Sequence, residues 1–338
     1  MMKIFDFLPA GVLIAVIAFG SCSTGDAAAS AAVQMLGGST QALLFIDCRA
    51  ASDNQIEFEF TQPVTVKQIT FEPALTVASV ENGSTVKVKI NESPSPGTLF
   101  TADLLAEDQQ RNSINVLVPF RSRNNRMPEL VINELRTENT KPKAEFIELK
   151  MKTAGNLGAI RVYAASNDKN PLIYEFMPVE VKKDEYVVLH LRATEENYRN
   201  EYGANLGESG GTDSSPAARD FWVNGNTKLL RKTDAVYLLD QDNNVLDAVM
   251  MSENPDAWWS KEHFADITEF LYEKGAWKSA DGRICSPVHS VISAKTTNSR
   301  TICRDETAAD SNTGANWYIT VTSGATPGKT NNPGRYSN

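Results

Sequence analysis

The sequence has little histidine and cysteine, and it contains none of the common catalytic motifs. Three histidines (His190, His263 and His289) and four cysteines occur among 338 residues. There is no H-E-x-x-H pair, no cysteine pair at zinc-site spacing, no G-x-S-x-G and no Gly-rich phosphate loop. Ser286 and His289 are close in sequence but have no acidic partner at a recognised position. We therefore expect no metal, no cofactor and no enzymatic activity.

Positive charge is also scarce, since 33 Lys and Arg face 42 Asp and Glu, giving a net charge of −9. Nucleic acids bind mainly to clustered Lys and Arg, so a nucleic-acid partner is not expected. A hydrophobic fraction of 41% and a charged fraction of 22% are typical of a globular protein. The length is sufficient for two domains with their own cores.

The longest apolar run, LPAGVLIAVIAF over residues 8–19, is too short to span a bilayer comfortably. It ends at Phe19-Gly20-Ser21-Cys22, which resembles the lipobox of bacterial lipoproteins, with Phe19 where Leu is usual. We predict a lipoprotein signal peptide over 1–21 and a lipid such as palmitate on Cys22. Ordinary secretory cleavage and an uncleaved anchor are the alternatives. The small, polar segment 22–40 is predicted to be a flexible tether.

A lipidated Cys22 would leave Cys48, Cys285 and Cys303 in a compartment that permits disulfides. Cys285 and Cys303 flank a loop-like segment, so we predict a disulfide between them, worth about 3 kcal/mol by loop closure. Cys48 lies in the strand pattern LLFIDC and is expected to be a buried free thiol.

Residues 41–123 have a hydrophobic period of two. In QIEFEF the side chains of Ile56, Phe58 and Phe60 point one way and the two glutamates the other, and TVKVKI alternates in the same manner. Seven short strand patterns separated by turn residues predict an immunoglobulin-like β-sandwich. The run ASDNQIEFEFTQPV resembles the opening of bacterial Ig-like modules. The basic segment 121–128 is the predicted boundary to a second all-β domain.

The second domain, 129–331, has the motifs of a known family. These are VINEL and EFIEL, AGNLG, EYVVLHL, the hairpin TDAVYLLDQDNNVLDAV, then Ser299-Arg300, Trp317 and TPGKTN. In this order they resemble the lamin-tail domain, which has an Ig-like fold, with Thr233 where the family has Gly. The resemblance implies an Ig-like β-sandwich for the second domain, and with the first domain it predicts an all-β protein of two tandem Ig-like β-sandwiches. It also implies that Arg300 compensates Glu134 and Glu148 in a structural ionic cluster.

Two insertions depart from a minimal lamin-tail domain, at 193–230 and 252–295. The first is predicted to open with a short helix over 193–204. In the second, Trp258, Phe264, Ile267, Phe270 and Leu271 recur at helical spacing, so we predict one or two amphipathic helices there. The aromatic residues of this insertion form a possible binding surface, or alternatively fix the insertion to the sandwich: Trp258, Trp259, Phe264, Tyr272 and Trp277.

The hairpin run Asp240-x-Asp242-x-Asn244 with Asp247 has the oxygen spacing that opens a calcium loop, but lacks the glycine and glutamate of an EF-hand. A plain turn and a weak calcium site are both open at this point.

The sequence is most consistent with an extracytoplasmic lipoprotein anchored to a bacterial membrane, which binds or scaffolds an unidentified protein or glycan partner without catalysis. One alternative is a hydrolase that uses Asp256, Glu262 and Asp266 in the second insertion. Another is a surface adhesin.

Overall fold

The computed structural model describes residues 42–168 and 171–337. The predicted signal peptide, Cys22 and the tether lie outside these residues. Contacts divide the chain into two compact units, with the division between Asn125 and Arg126. Strands dominate both units, so the predicted all-β class is confirmed. No helix within the described residues is long and apolar enough to cross a membrane.

The first unit, as described over 42–125, is a sheet in the order β3-β4-β2-β5-β6, with β1 also paired to β2. Its strands are β1 (Phe45–Ser52), β2 (Gln55–Glu72), β3 (Val77–Glu81), β4 (Gly83–Ile90), β5 (Leu99–Asp108) and β6 (Ser113–Arg121). QIEFEF and the run VTVKQITF that follows it belong to one strand, β2. Its first half pairs with β1 and β4, and its second half pairs with β5.

Alternation along the strands builds the core of the first unit. Phe58 and Val86 are opposite each other in the β2–β4 register and are fully buried, while the adjacent pair Glu57 and Lys87 carries opposite charges. Because successive side chains of a strand point to opposite faces, this pattern fixes which face is buried.

The second unit contains thirteen strands within its described residues. They are β7 (Leu130–Arg136), β8 (Phe146–Met151), β9 (Gly155–Asn156), β10 (Arg161–Ala164), β11 (Leu172–Glu175), β12 (Glu180–Val181), β13 (Tyr186–His190), β14 (Ala218–Trp222), β15 (Asp234–Leu239), β16 (Val245–Ser252), β17 (Val291–Ile292), β18 (Ile302–Arg304) and β19 (Trp317–Ile319). One helix, α1 (Glu262–Glu273), and two 3-10 turns, Pro287–His289 and Gly314–Asn316, complete the described part.

These strands form a six-stranded sheet, β14-β13-β8-β7-β18-β19, a five-stranded sheet, β11-β10-β15-β16-β17, and the small pair β9–β12. One hydrophobic core joins the two larger sheets. Leu149 and Leu189 come from the six-stranded sheet, and Val236 and Val249 come from the five-stranded sheet; all four are fully buried.

Helix α1 confirms the predicted amphipathic helix in the second insertion. Phe264, Thr268 and Leu271 are its buried side chains. Thr268 Oγ1 donates to Met250 Sδ at 3.3 Å, and the Phe270 ring centroid lies 6.3 Å from that of Tyr237. The helix therefore covers the five-stranded sheet, which explains why β15 is buried along its whole length.

The short helix predicted over 193–204 is wrong, because this stretch is irregular. Its acidic side chains accept hydrogen bonds from the backbone of distant residues and do not form a solvated helix face. Glu195 accepts from Thr212 N at 2.7 Å, and Glu201 accepts from Gly207 N at 2.7 Å and from Asp220 N at 2.9 Å. The strand that follows it, β14, was not expected from the sequence.

Candidate functional site

The face of the six-stranded sheet that is turned away from the main core is polar and nevertheless buried. Glu134, Glu148, His190 and Asp220 lie on this face and are fully buried, and Arg136 is 2% exposed. We call it the outer face. Two irregular segments cover it: the covering loop, residues 193–217, and the closing loop, residues 324–331.

Glu134 and Glu148, the two glutamates singled out by the sequence, are opposite each other in the register of β7 and β8. Thr326 N of the closing loop donates to Glu134 Oε2 at 3.1 Å, and Thr301 Oγ1 donates to Oε1. Gly328 N donates to Glu148 Oε2 at 2.6 Å, and Asn133 Nδ2 donates to its Oε1 at 2.9 Å. The pair anchors the TPGKTN loop to the sheet.

Burial raises the pKa of both glutamates above the usual range of a glutamic acid. The pKa of Glu148 is raised further by the neighbouring Glu134 and by Glu306, while the hydrogen bonds to both side chains lower it in part. Two facing carboxyl groups in a dry site resist double ionisation. Their chemical role at this place is to accept hydrogen bonds from the closing loop.

The predicted compensation of these glutamates by Arg300 is wrong. Arg300 lies 4.2 Å above the Tyr336 ring, and within the described residues no ion pair joins it to Glu134 or Glu148. Arg300 lies before β18, in a short turn closed by its bridge to Thr297. Thr301 donates to Glu134, whereas the guanidinium of Arg300 lies over the Tyr336 ring.

Arg304 forms a buried ion pair close to these glutamates, and sequence reasoning missed it. Its Nη2 lies 2.5 Å from Asp247 Oδ2, its Nη1 lies 2.6 Å from Asp310 Oδ2, and its Nε donates to Ile132 O at 2.7 Å. The guanidinium also lies 4.6 Å above the Trp317 ring. Arg304 thereby ties β18 to β7 and to the β15–β16 hairpin.

The hairpin itself is a turn without calcium geometry. Asp240 Oδ1 accepts from Asp242 N and Asn244 N, each at 2.8 Å, so its carboxylate closes the turn. Asp247 is committed to Arg304 and to Ile132 N. Among the residues that the structure describes, no group of three or more His, Cys, Asp or Glu side chains is placed to hold a metal ion.

His190 is a buried group on the outer face to which the sequence analysis gave no role. Its Nε2 lies 2.7 Å from Asp220 Oδ1, and its ring stacks on Trp222 with centroids 3.9 Å apart. Asp220 Oδ2 accepts from Ser215 N of the covering loop at 2.9 Å. Burial raises the pKa of Asp220, although the hydrogen bond from His190 opposes the shift. The pair holds the covering loop and is closed to substrate.

Gly328 illustrates how tightly the closing loop is seated. Its φ is +78°, and a Cβ at this position would lie 2.7 Å from Ser215 Oγ and 3.0 Å from Ala218 Cβ. We expect Gly328→Ala to lower the free energy of unfolding by about 1–3 kcal/mol more than Gly282→Ala, because overpacking is added to the backbone cost. Gly282 is the matched control, with φ +81° and nothing within 4 Å. Chemical denaturation checks this, and equal losses for the two variants would contradict it.

The predicted aromatic surface is not one surface. Phe264 is 2% exposed and Trp277 is 1% exposed, and both are part of the main core. Trp259 is partly buried and donates from Nε1 to Cys285 O at 3.1 Å. Trp258 alone is strongly exposed, at 84%, whereas Tyr272 is 37% exposed and donates its hydroxyl to Gly282 O. Phe264, Trp277 and Trp259 therefore pack on the main core, whereas the bond of Tyr272 to Gly282 stays within the insertion.

The predicted disulfide between Cys285 and Cys303 is absent, because both are free thiols, as is Cys48. Cys285 belongs to the main core, and its Sγ lies 3.3 Å from Ser286 O. Cys303 lies on the outer face, with its Sγ 3.6 Å from Thr301 Oγ1. The sheet separates the two sulfurs, so spacing along the chain was a misleading guide. Burial raises the pKa of both thiols, to about 11 for Cys285.

The acidic residues of the hydrolase interpretation, Asp256, Glu262 and Asp266, are all exposed. None of them lies with a partner in a cleft. Ser286 Oγ is 2.9 Å from His289 Nδ1, in the 3-10 turn at the surface. The structure offers a small pocket of about 100 Å³ elsewhere, lined by Asn133, Glu306 and Arg304 among others, whose side chains already bond to one another or to their neighbours.

Comparison with known protein families gives a match to the second unit. A family model described as "protein second domain", TP_1001_2nd, matches residues 128–319, which is more than half of the chain. The chain belongs to this family. The TP_1001_2nd region runs from just before β7 through β19 and includes Glu134, Glu148 and Arg304, but ends before the closing loop.

An uncharacterized protein of Treponema pallidum (strain Nichols) is 25% identical over 210 residues, which cover 60% of this chain and 53% of that protein. The chain thus spans about half the length of this curated relative. A crystal structure of a DUF4876 family protein from Bacteroides thetaiotaomicron VPI-5482 aligns with a TM-score of 0.27 at 11% identity, over 76% of this chain and 86% of that one.

Proposed function

We propose that this protein is a lipid-anchored lipoprotein of a bacterial envelope that binds a protein or glycan partner and has no catalytic activity. In this proposal its two units are tandem Ig-like sandwiches, the second of lamin-tail type. The tether at 22–40 would hold them at a distance from the membrane.

The first support for a non-catalytic role is that the buried polar side chains bind structural partners. The carboxyl groups of Glu134 and Glu148 bind the closing loop, Asp247 binds Arg304, and His190 binds Asp220. Each of these groups is buried by protein and occupied by a structural partner. A reactive group must instead reach its substrate, and these do not.

The observation that carries the proposal is the exposure of Trp258 on a fixed loop. Asp256 O accepts from Val288 N at 3.0 Å on one side of Trp258, and Trp259 Nε1 donates to Cys285 O on the other. The side chain is 84% exposed, although the loop that carries it is hydrogen-bonded to the 284–289 segment on both sides of Trp258. Exposed aromatic side chains on rigid positions are common anchors of binding interfaces.

Crosslinking in intact cells, followed by mass spectrometry, tests the binding role. We expect a discrete crosslinked species with the wild-type chain that is reduced by Trp258→Ala. Leu117→Ala is the matched control, because Leu117 is also strongly exposed, at 66%, but lies in the first unit. Failure to recover any specific partner, protein or glycan, would remove the scaffold proposal.

Membrane attachment is tested at Cys22. Replacing this residue by serine removes the thiol that would be lipidated. The variant thereby loses the membrane-binding free energy of an acyl chain, about 0.8 kcal/mol per buried CH₂. We expect Cys22→Ser to lose palmitate labelling and to move from the membrane fraction to the soluble fraction. Cys48→Ser is the control and should keep both. Retained labelling of Cys22→Ser would contradict the lipid anchor.

A further inference from the structure

Two neighbouring segments of the second insertion form a small ridge at the surface, which we define as residues 254–259 and 284–289. Hydrogen bonds of Val288 N with Asp256 O, and of Trp259 Nε1 with Cys285 O, join the two segments. Three large apolar side chains project from the ridge: Trp258 is 84% exposed, Ile284 49% and Val288 46%.

The size of this apolar area limits what can cover it. A Trp side chain offers about 150–250 Å², and roughly half of an isoleucine and a valine adds a smaller amount. The sum is a few hundred Å², well below the ~800 Å² per partner of a standard protein interface. One exposed ring with two small aliphatic neighbours instead matches a ligand of one to three sugar rings.

The charges around the ridge also limit the class of ligand that it can bind. Asp256, Lys261 and Glu262 are exposed beside it, and Arg283 is paired with Asp281. There is no surplus of positive charge. An anionic membrane surface or a nucleic acid needs clustered Lys and Arg, so neither fits, whereas a neutral ligand does.

Polar groups with unused hydrogen-bonding capacity lie on the same two segments as Trp258. Ser286 Oγ lies 2.9 Å from His289 Nδ1 and so fixes the orientation of this exposed imidazole. Within the described residues, neither His289 Nε2 nor the Asp256 carboxylate has a protein partner. A sugar ring presents an apolar C–H face and a rim of hydroxyls, which matches one stacking ring flanked by a donor or acceptor and a carboxylate.

We propose that the ridge is a carbohydrate-binding platform, on which Trp258 stacks against the apolar face of a pyranose ring while His289 and Asp256 bind its hydroxyls. This rests on the proposed function, since it names the glycan as the partner and the ridge as the site. Trp222, Trp259, Trp277 and Trp317 are buried or partly buried. Trp258 is thus the tryptophan whose emission a surface ligand would change.

The test uses the full chain, purified in detergent so that the N-terminal segment is kept, against an array of immobilised neutral and amino-sugar oligosaccharides. Ligands found on the array are then titrated in solution while tryptophan emission is recorded. We expect Trp258→Ala to weaken binding at least about tenfold, because the aromatic face on which the sugar ring stacks is removed. Trp258→Phe should retain most of the affinity, and the control Leu117→Ala should bind like the wild type.

Each outcome separates the two proposals. Binding that Trp258→Ala leaves unchanged overturns the platform but leaves a binding module intact. No oligosaccharide bound by the wild type, together with a Trp258-dependent protein crosslink in cells, overturns the carbohydrate assignment in favour of a protein partner. Absence of both oligosaccharide binding and a specific crosslink overturns the proposed function itself.

Discussion

Replacing Arg304 with alanine is expected to lower the free energy of unfolding of the second unit by about 3–5 kcal/mol, the cost of breaking a buried ion pair by removing one partner. The substitution leaves the fully desolvated Asp247 without its guanidinium and frees the carbonyl of Ile132. Burial raises the pKa of Asp247 to about 6 even with Arg304 opposing the shift. The loss should therefore be smaller at pH 5, where Asp247 is protonated, than at pH 8.

Arg300→Ala is the matched comparison, because the lamin-tail resemblance assigns Arg300 to an ionic cluster with Glu134 and Glu148, whereas the structure shows a buried ion pair for Arg304, with Asp247. Its contact with the Tyr336 ring is worth about 0.5–1 kcal/mol at a partly exposed site. Urea denaturation followed by tryptophan emission measures both variants, and it reports on the second unit alone, since all five tryptophans lie after residue 125. A larger loss for Arg300→Ala than for Arg304→Ala would refute the assignment.

The second large effect expected is a fall in the stability of the second unit as the pH rises from 5 to 8. Burial raises the pKa of Glu134 and Glu148 above the ordinary value of 4.5, and it raises the pKa of Asp247 to about 6 and that of Asp234 to about 7. Between its ordinary pKa and its raised pKa each of these groups holds more protons in the folded state than in the unfolded state, so the free energy of unfolding decreases with pH. Each unit of raised pKa corresponds to about 1.4 kcal/mol. Groups with a lowered pKa, such as Asp305, titrate below this window.

Glu148→Gln tests the origin of this pH dependence. The amide keeps the shape of the side chain and one acceptor, and it removes the charge that burial and Glu134 disfavour. We expect the variant to melt at a higher temperature relative to wild type at pH 8 than at pH 5, with a flatter dependence between them. At about 2–4 °C per kcal/mol for a domain of this size, differential scanning fluorimetry resolves the change. If the dependence of the melting temperature on pH is the same as in the wild type, groups other than Glu148 cause it.

Much of the fold could be predicted from the alternation of apolar and polar side chains along the sequence. In QIEFEF and TVKVKI, and again around Glu134 and Glu148, the period of two predicts strands and their buried face. The two facing glutamates were expected to be structural, and their bonds to Thr326 and Gly328 show what they hold. The amphipathic helix was also marked, because Phe264 and Leu271 lie on one face of α1.

The sequence pattern did not predict which side chains from different strands pair with one another. Arg300 and Arg304 differ by four positions, and only the placement of β18 beside β7 and the β15–β16 hairpin decides which reaches a buried acid. The sulfurs of Cys285 and Cys303 are separated by a sheet that spacing along the chain does not reveal. Likewise β14, with Asp220 beneath the covering loop, follows a polar stretch without any apolar period.

The sequence by itself therefore determined the β class, the strand faces and the pair of glutamates, since these depend on the local two-residue period. The tertiary structure alone decided which cation is buried, which thiols stay free and which aromatic remains at the surface. These depend on contacts between residues that are distant along the chain, such as Arg304 with Asp247 and Trp259 with Cys285. These contacts bury Phe264 and Trp277 and leave Trp258 exposed on the ridge.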